Sequence, residues 1–201
     1  MTDAQVPPPA AERTLDAGAL RALAHPLRVR MFDILSQYGP QTASSLAEMT
    51  GESSGATSYH LRALAKHDLI REVEGRGSAR ERWWERPRGS VSCANPEALK
   101  TPSGRAATRM IMTEFLNRRH QQLLDFVTES ISLPDDEPED TSALVSTTTA
   151  HLTRAEATEL NERFSALIDE VTERSRGRQD ADDTQTFTIR VDVFALPEEG
   201  N

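Results

Sequence analysis

Residues 53–86 constrain the fold more than any other stretch of this 201-residue chain. They read Ser-Ser-Gly-Ala-Thr-Ser-Tyr-His-Leu-Arg-Ala-Leu-Ala-Lys-His-Asp-Leu-Ile and continue Arg-Glu-Val-Glu-Gly-Arg-Gly-Ser-Ala-Arg-Glu-Arg-Trp-Trp-Glu-Arg. A hydroxyl at Ser53 can accept from the unpaired N–H groups of a first helical turn, which predicts a helix over 54–67. On a helical wheel Thr57, His60, Leu61 and Leu64 share one side, while Ser54, Ser58, Tyr59, Arg62 and Lys66 share the other. Asp68-Leu69 closes the helix. A strand over 70–74 follows, then a loop Gly75-Arg76-Gly77-Ser78-Ala79, whose two glycines can take positive φ, then a return strand over 80–85.

Flanking segments supply a helical frame. Leu15, Ala19, Leu20, Leu23 and Ala24 recur at helical spacing and predict a helix over 16–24. In His25-Pro26 the residue before proline avoids helical geometry, whereas proline suits a first turn, so a second helix runs over 26–38. Leu27, Met31, Ile34 and Leu35 face inward on it, Arg28, Arg30 and Asp33 outward, and Gly39-Pro40 stops it. Thr42 predicts the cap of a short helix over 43–50, with Leu46, Ala47 and Met49 inward and Gly51 at its end. Beyond an irregular connection, Thr101-Pro102 reads as the cap and first position of a long helix over 102–131. Its apolar stripe is Met112, Phe115, Leu116, Leu123, Phe126, Val127 and Ile131.

The remaining third has a different character. An acidic linker over 135–142 precedes a predicted strand over 144–152. Thr153 with Glu156 three residues on makes a capping box for a helix over 154–174. A polar loop leads to an alternating segment with Phe187, Ile189, Val191 and Val193 on one face. The expected layout is a proline-rich disordered tail over 1–14, a helix-turn-helix and hairpin domain over 15–88, a connection and long helix over 89–134, the linker, and a small α/β unit over 143–201.

Hydrophobic residues make up 37% of the chain and charged residues 27%. No apolar run approaches the length a bilayer requires. The first 14 residues lack the basic start and apolar stretch of a signal peptide. A single cysteine, Cys93, excludes an intramolecular disulfide and fits a reducing, cytoplasmic setting. The net charge of −9 is unevenly spread: residues 15–88 carry 11 basic and 9 acidic side chains, whereas residues 128–201 carry 6 basic and 18 acidic. Affinity for a polyanion depends on the local field at the contact surface, so the total does not exclude one.

The order short helix, turn, helix, hairpin is what a winged helix-turn-helix uses to enter a major groove. The fold expected is therefore mainly α with a small β wing, a long dimerisation helix and a C-terminal strand–helix–strand unit. Two stretches carry a family resemblance. Leu23-Ala24-His25-Pro26-Leu27-Arg28-Val29-Arg30-Met31-Phe32-Asp33-Ile34-Leu35 resembles the opening of ArsR-type winged-helix repressors. Ser58-Tyr59-His60-Leu61-Arg62-Ala63-Leu64 followed by Leu69-Ile70 is similar to their recognition helix and wing entry. The resemblance covers about residues 15–88, with a weaker echo to residue 131, and the Trp-bearing wing looks like an actinobacterial-style branch. It implies a homodimeric transcription regulator, usually a repressor released from DNA by an effector.

The candidate DNA-contacting set is Ser53, Ser54, Gly55, Thr57, Ser58, Tyr59, Arg62 and Lys66 on the helix, with Arg76 and Arg80 on the wing. Hydroxyls and a phenol donate or accept at base edges and phosphates, small Gly55 and Ala56 let the backbone approach, and Arg62 suits guanine or phosphate. Leu15, Leu20 and Leu23 with Met112, Phe115, Leu116, Leu123 and Phe126 are the candidate dimer seam; packing within one chain would use the same side chains. The position where many ArsR-type repressors hold paired thiolates reads Ser44-Ser45-Leu46-Ala47-Glu48-Met49, and His120 has no second histidine at ligand spacing, so no metal or other cofactor is expected. His25, His60, His67 and His151 are scattered, and no nucleophile comes with a base and orienter, so no enzyme is expected. The partners expected are duplex DNA, a second copy and an organic or protein effector. The rival reading is a winged-helix module that binds protein rather than an operator.

Overall fold

The computed structural model describes residues 13–78, 81–87, 89, 91–132, 142–175, 178 and 183–197. Two units result, Met1–Asp135 and Asp136–Asn201, each taken by itself below. In chain order the elements are β1 (Arg13–Thr14), α1 (Ala17–Leu23), α2 (Pro26–Gln37), β2 (Gln41–Thr42), α3 (Ala43–Thr50), α4 (Ser54–Ala65), β3 (Arg71–Ser78), β4 (Glu81–Glu85), β5 (Val91–Ser92), α5 (Pro96–Leu99), α6 (Pro102–Ile131) and α7 (Arg154–Arg174). The first unit is mostly helical with a small sheet, a winged helix-turn-helix extended by a long helix.

Its helices start where short polar side chains take over the orphan N–H groups. Asp16 caps α1, Thr42 α3, Ser53 α4, Asn95 α5 and Thr101 α6. His25 caps α2 unusually, its Nδ1 accepting from Leu27 N–H at 3.2 Å, with Pro26 at the first helical position. Leu15, Leu20, Leu23, Val29, Met31, Leu46, Leu61, Leu64, Ile70 and Ile111 form the fully buried centre. Each such aliphatic side chain contributes roughly 1.5–3 kcal/mol by leaving water.

The buried residues of α6 are confined to its first third, Gly104, Ala107 and Ile111, with Phe115 packing half-covered against the core. A Cβ on Gly104 would stand 2.0 Å from the Ala98 carbonyl oxygen, so glycine sets how closely α6 approaches α5. Further along, the half-buried pair Arg118 Nε–Asp33 at 2.8 Å and the Gln122–Gln37 bond at 2.8 Å tie α6 to α2.

Three strands pair in the order β2-β4-β3, all antiparallel, and β1 pairs parallel with β5. The hairpin register is Glu72↔Trp84 at its base and Gly77↔Arg82 near its tip, with a bulge between. The first strand is longer than the expected 70–74 and the loop correspondingly shorter, because Gly75 and Gly77 at φ 73° and 96° let β3 continue through a bulge. A Cβ on Gly77 would stand 2.1 Å from the Glu81 carbonyl oxygen. Helix α4 ends at Ala65, two residues short of expectation, since Asp68 turns left-handed at φ 53°. The short elements β1, β2, β5 and α5 were not expected from periodicity, being too brief to show one.

The second unit contains α7, whose Thr153–Glu156 capping box forms as expected, Glu156 N–H donating to Thr153 Oγ1 at 3.2 Å. None of its side chains is buried; Ala157, Leu160, Phe164, Ile168 and Val171 make a half-covered stripe. The strands expected over 144–152 and 187–193 are corrected: among the described residues neither segment belongs to a ladder, and Leu144, Phe187 and Ile189 are exposed. Alternation prepares a two-faced strand, but a strand exists only through a partner's N–H and C=O groups, and among the described residues neither segment pairs into a ladder. The expected disordered tail (apart from Arg13 and Thr14) and all but Ser142 of the acidic linker lie outside the described residues.

Candidate nucleic-acid interface

Helices α3 and α4 are held as a unit by hydroxyls. Thr42 N–H donates to Ser45 Oγ at 2.9 Å and Ser45 N–H to Thr42 Oγ1 at 3.1 Å, closing a capping box on α3. Gly51 ends α3 in the left-handed conformation, and Glu52 N–H returns to the Ala47 carbonyl at 3.1 Å. Arg30 of α2 donates to the Thr50 and Met49 carbonyls at 3.0 and 2.8 Å, occupying the last acceptors of α3. Thr57 Oγ1 donates to the Ala43 carbonyl at 2.8 Å, fixing the rotation of α4 about its axis.

That bond corrects one expectation. Thr57 is 0% exposed and is a helix-to-helix tie, not a DNA contact. The rest of the helical set faces outward: Ser53, Ser54, Gly55, Arg62 and Lys66 are exposed, Ser58 half-exposed, and Tyr59 stands 66% exposed. Arg62 Nε donates to the Ser58 carbonyl one turn back at 3.0 Å, which lays the guanidinium along the helix surface. On the hairpin the exposed Arg76 guanidinium lies 3.8 Å over the Trp83 ring. Arg71–Glu85 and Arg82–Glu72 pair across the strands at 2.7 and 3.5 Å, so those charges are partly spent within the wing. Arg80 lies outside the described residues.

Sequence reasoning passed over one cluster at the edge of this face. The His25 and His60 rings meet at 4.5 Å between centroids, tilted by 42°, and Tyr59 meets His60 edge-on at 5.2 Å. Burial holds both imidazoles below their ordinary pKa; Arg28 lowers both further, the His25 charge also lowers His60, and Glu52 opposes. The His25-Pro26 dipeptide signalled a helix start but not this ring contact, which depends on how α2 crosses α4.

The expected dimer seam divides. Met112, Leu116, Leu123 and Phe126 are exposed on α6, with Leu124 and Ile131 beside them, and Phe115 half-covered against the core. Leu15, Leu20 and Leu23 are corrected: all three are 0% exposed inside one protomer and offer no surface to a second copy. Among the described residues no group of three or more His, Cys, Asp or Glu side chains could hold a metal ion, and no helix is long and apolar enough to cross a membrane.

Residues 23–73 match the family model of a helix-turn-helix domain. That span runs from the end of α1 into β3 and contains the outward face of α4, while Arg76 and Trp83 of the hairpin lie beyond it. No curated protein matches the chain. Among solved structures, a possible transcriptional regulator for arsenical resistance is 25% identical, covering 55% of this chain and 96% of that one at a TM-score of 0.31. RV1404 from Mycobacterium tuberculosis is 18% identical over 78% of this chain and 83% of that one, at 0.30. The adhesin competence repressor of Streptococcus pyogenes is 16% identical over 78% and 82%, at 0.27. At such TM-scores the winged-helix assignment rests on element order and register, not on these overlays.

Proposed function

We propose that the chain is a homodimeric, sequence-specific DNA-binding transcription regulator that acts as a repressor. The observation that carries the reading is the outward face of α4, where Ser54, Ser58, Tyr59, Arg62 and Lys66 share one side of a helix whose other side is fastened by Thr57, Leu61 and Leu64. A helix locked in rotation, with hydroxyls, a phenol and cations outward and a hairpin carrying Arg76 alongside, suits major-groove entry. The match of residues 23–73 to a helix-turn-helix domain supports the same reading. Two such helices read successive major grooves about 34 Å apart on a palindromic operator, and the exposed stripe Met112, Leu116, Leu123 and Phe126 on α6 is the surface that joins the two copies. The acidic C-terminal unit, with 16 acidic and 6 basic side chains over residues 136–201, modulates binding in response to an organic or protein effector.

Selection of operator sequences from random duplexes, repeated at several salt concentrations, tests the proposal. Arg62→Ala is expected to weaken the selected site and relax preference at one base pair, by about 1–3 kcal/mol if it reads guanine. Absent or salt-insensitive binding would instead favour a protein-binding module.

A further inference from the structure

Arg28 of α2 is a cation with no anion. Its Nε is shielded from solvent and has no hydrogen-bond partner, and among the described residues no carboxylate pairs with it. The charged and polar groups around it are His25 at the start of its own helix, and Tyr59 and His60 on α4; Glu52, in the turn before α4, acts on the two imidazoles. His60 Nδ1 is likewise buried without a partner. A half-buried guanidinium among imidazoles pays for desolvation without an attractive partner, and removing it from such a place ordinarily costs a fold nothing. The arrangement makes sense if the partner arrives from outside. Tyr59, whose hydroxyl acts on Arg28, is 66% exposed on the outward face of α4.

We propose that Arg28, flanked by His25, His60 and Tyr59, is a binding site for a backbone phosphate of duplex DNA at the edge of the recognition face. This rests on the DNA-binding reading above and adds a contact from α2, outside the helix and wing to which that reading confines the interface. A phosphate there receives the guanidinium as a charge-assisted donor and the Tyr59 hydroxyl as a second, while the His60 ring walls the site. Because the contact is to phosphate, it adds affinity and fixes register without choosing bases.

The test uses the full chain and a labelled mixed-sequence duplex, with binding followed by fluorescence anisotropy between about 50 and 200 mM salt. Arg28→Met is expected to reduce the slope of log affinity against log salt by about 0.9, the increment for one phosphate, and to weaken every duplex by a similar factor of about ten. Arg28→Lys keeps the charge and is expected to retain the wild-type slope. The melting temperature of Arg28→Met is expected at or above that of the wild type, since an unpaired cation has been removed. A wild-type slope in Arg28→Met, or a lowered melting temperature with a slope that Arg28→Lys does not restore, overturns the site while leaving the DNA-binding reading intact. A wild-type protein whose binding shows no salt dependence overturns both.

Discussion

Thr57 shows how much one hydroxyl decides at the residue scale. Its bond to the Ala43 carbonyl crosses between α3 and α4 from a hydroxyl that is itself fully buried. Thr57→Val keeps the shape and removes the donor, losing the tie between the helices at a cost of about 0.5–1.5 kcal/mol. Urea unfolding of the variant measures this directly as a lower midpoint with an unchanged slope. The His25–His60 pair gives a pH dependence. Both native pKa values lie below the ordinary 6.5, chiefly through burial, with Arg28 acting in the same direction and Glu52 against it. Above 6.5 both states are neutral and stability is complete. As pH falls below 6.5 the unfolded chain takes up protons first, so stability declines until the native values are passed and then levels off. Protonation of His25 also removes the acceptor that caps α2. His25→Asn, which retains a capping oxygen, is expected to flatten that decline in melts recorded across this range.

At the scale of elements, the wing hairpin depends on Gly77. Its positive φ and its approach to Glu81 both exclude a side chain, and the same glycine brings β3 beside the Trp83 ring that carries Arg76. Gly77→Ala is therefore expected to disorder the hairpin tip while leaving α1 to α4 folded. Amide exchange should rise over 75–82 with the midpoint of unfolding lowered by about 1–3 kcal/mol. Helix α6 behaves as two elements in one. Its first third is core, fixed by Gly104, Ala107 and Ile111, while its later turns leave Met112, Leu116, Leu123 and Phe126 in water.

In the proposed dimer the exposed stripe of α6 joins the two copies. Leu116→Glu places a carboxylate in it at a position that is 50% exposed in one protomer, so the fold of the monomer is expected to survive. Sedimentation or native mass measurement should then show a shift from dimer towards monomer. Operator affinity should fall, since each half-site is bound alone, whereas non-specific binding per protomer is retained. A wild-type chain that is monomeric at micromolar concentration would remove the dimer from the proposal.

Local chemistry made most of the first unit legible. Capping hydroxyls, the His25-Pro26 and Thr101-Pro102 starts, and Gly51 are signals within a few residues of where they act, so α2, α3, α6 and α7 lie close to their expected spans. What needs a partner distant in sequence was not legible. The helical wheel sets Thr57 beside Leu61 and Leu64, at odds with its place in the DNA-contacting set, and the crossing of helices shows both it and Leu15 enclosed. Periodicity marked 144–152 and 187–193 as strands, yet among the described residues no ladder forms there. Arg28 looked like an ordinary outward charge until α4 laid two rings against it. A sequence fixes which faces a segment has; burial, pairing and the isolation of a charge are properties of two segments together, and only the tertiary structure supplies the second.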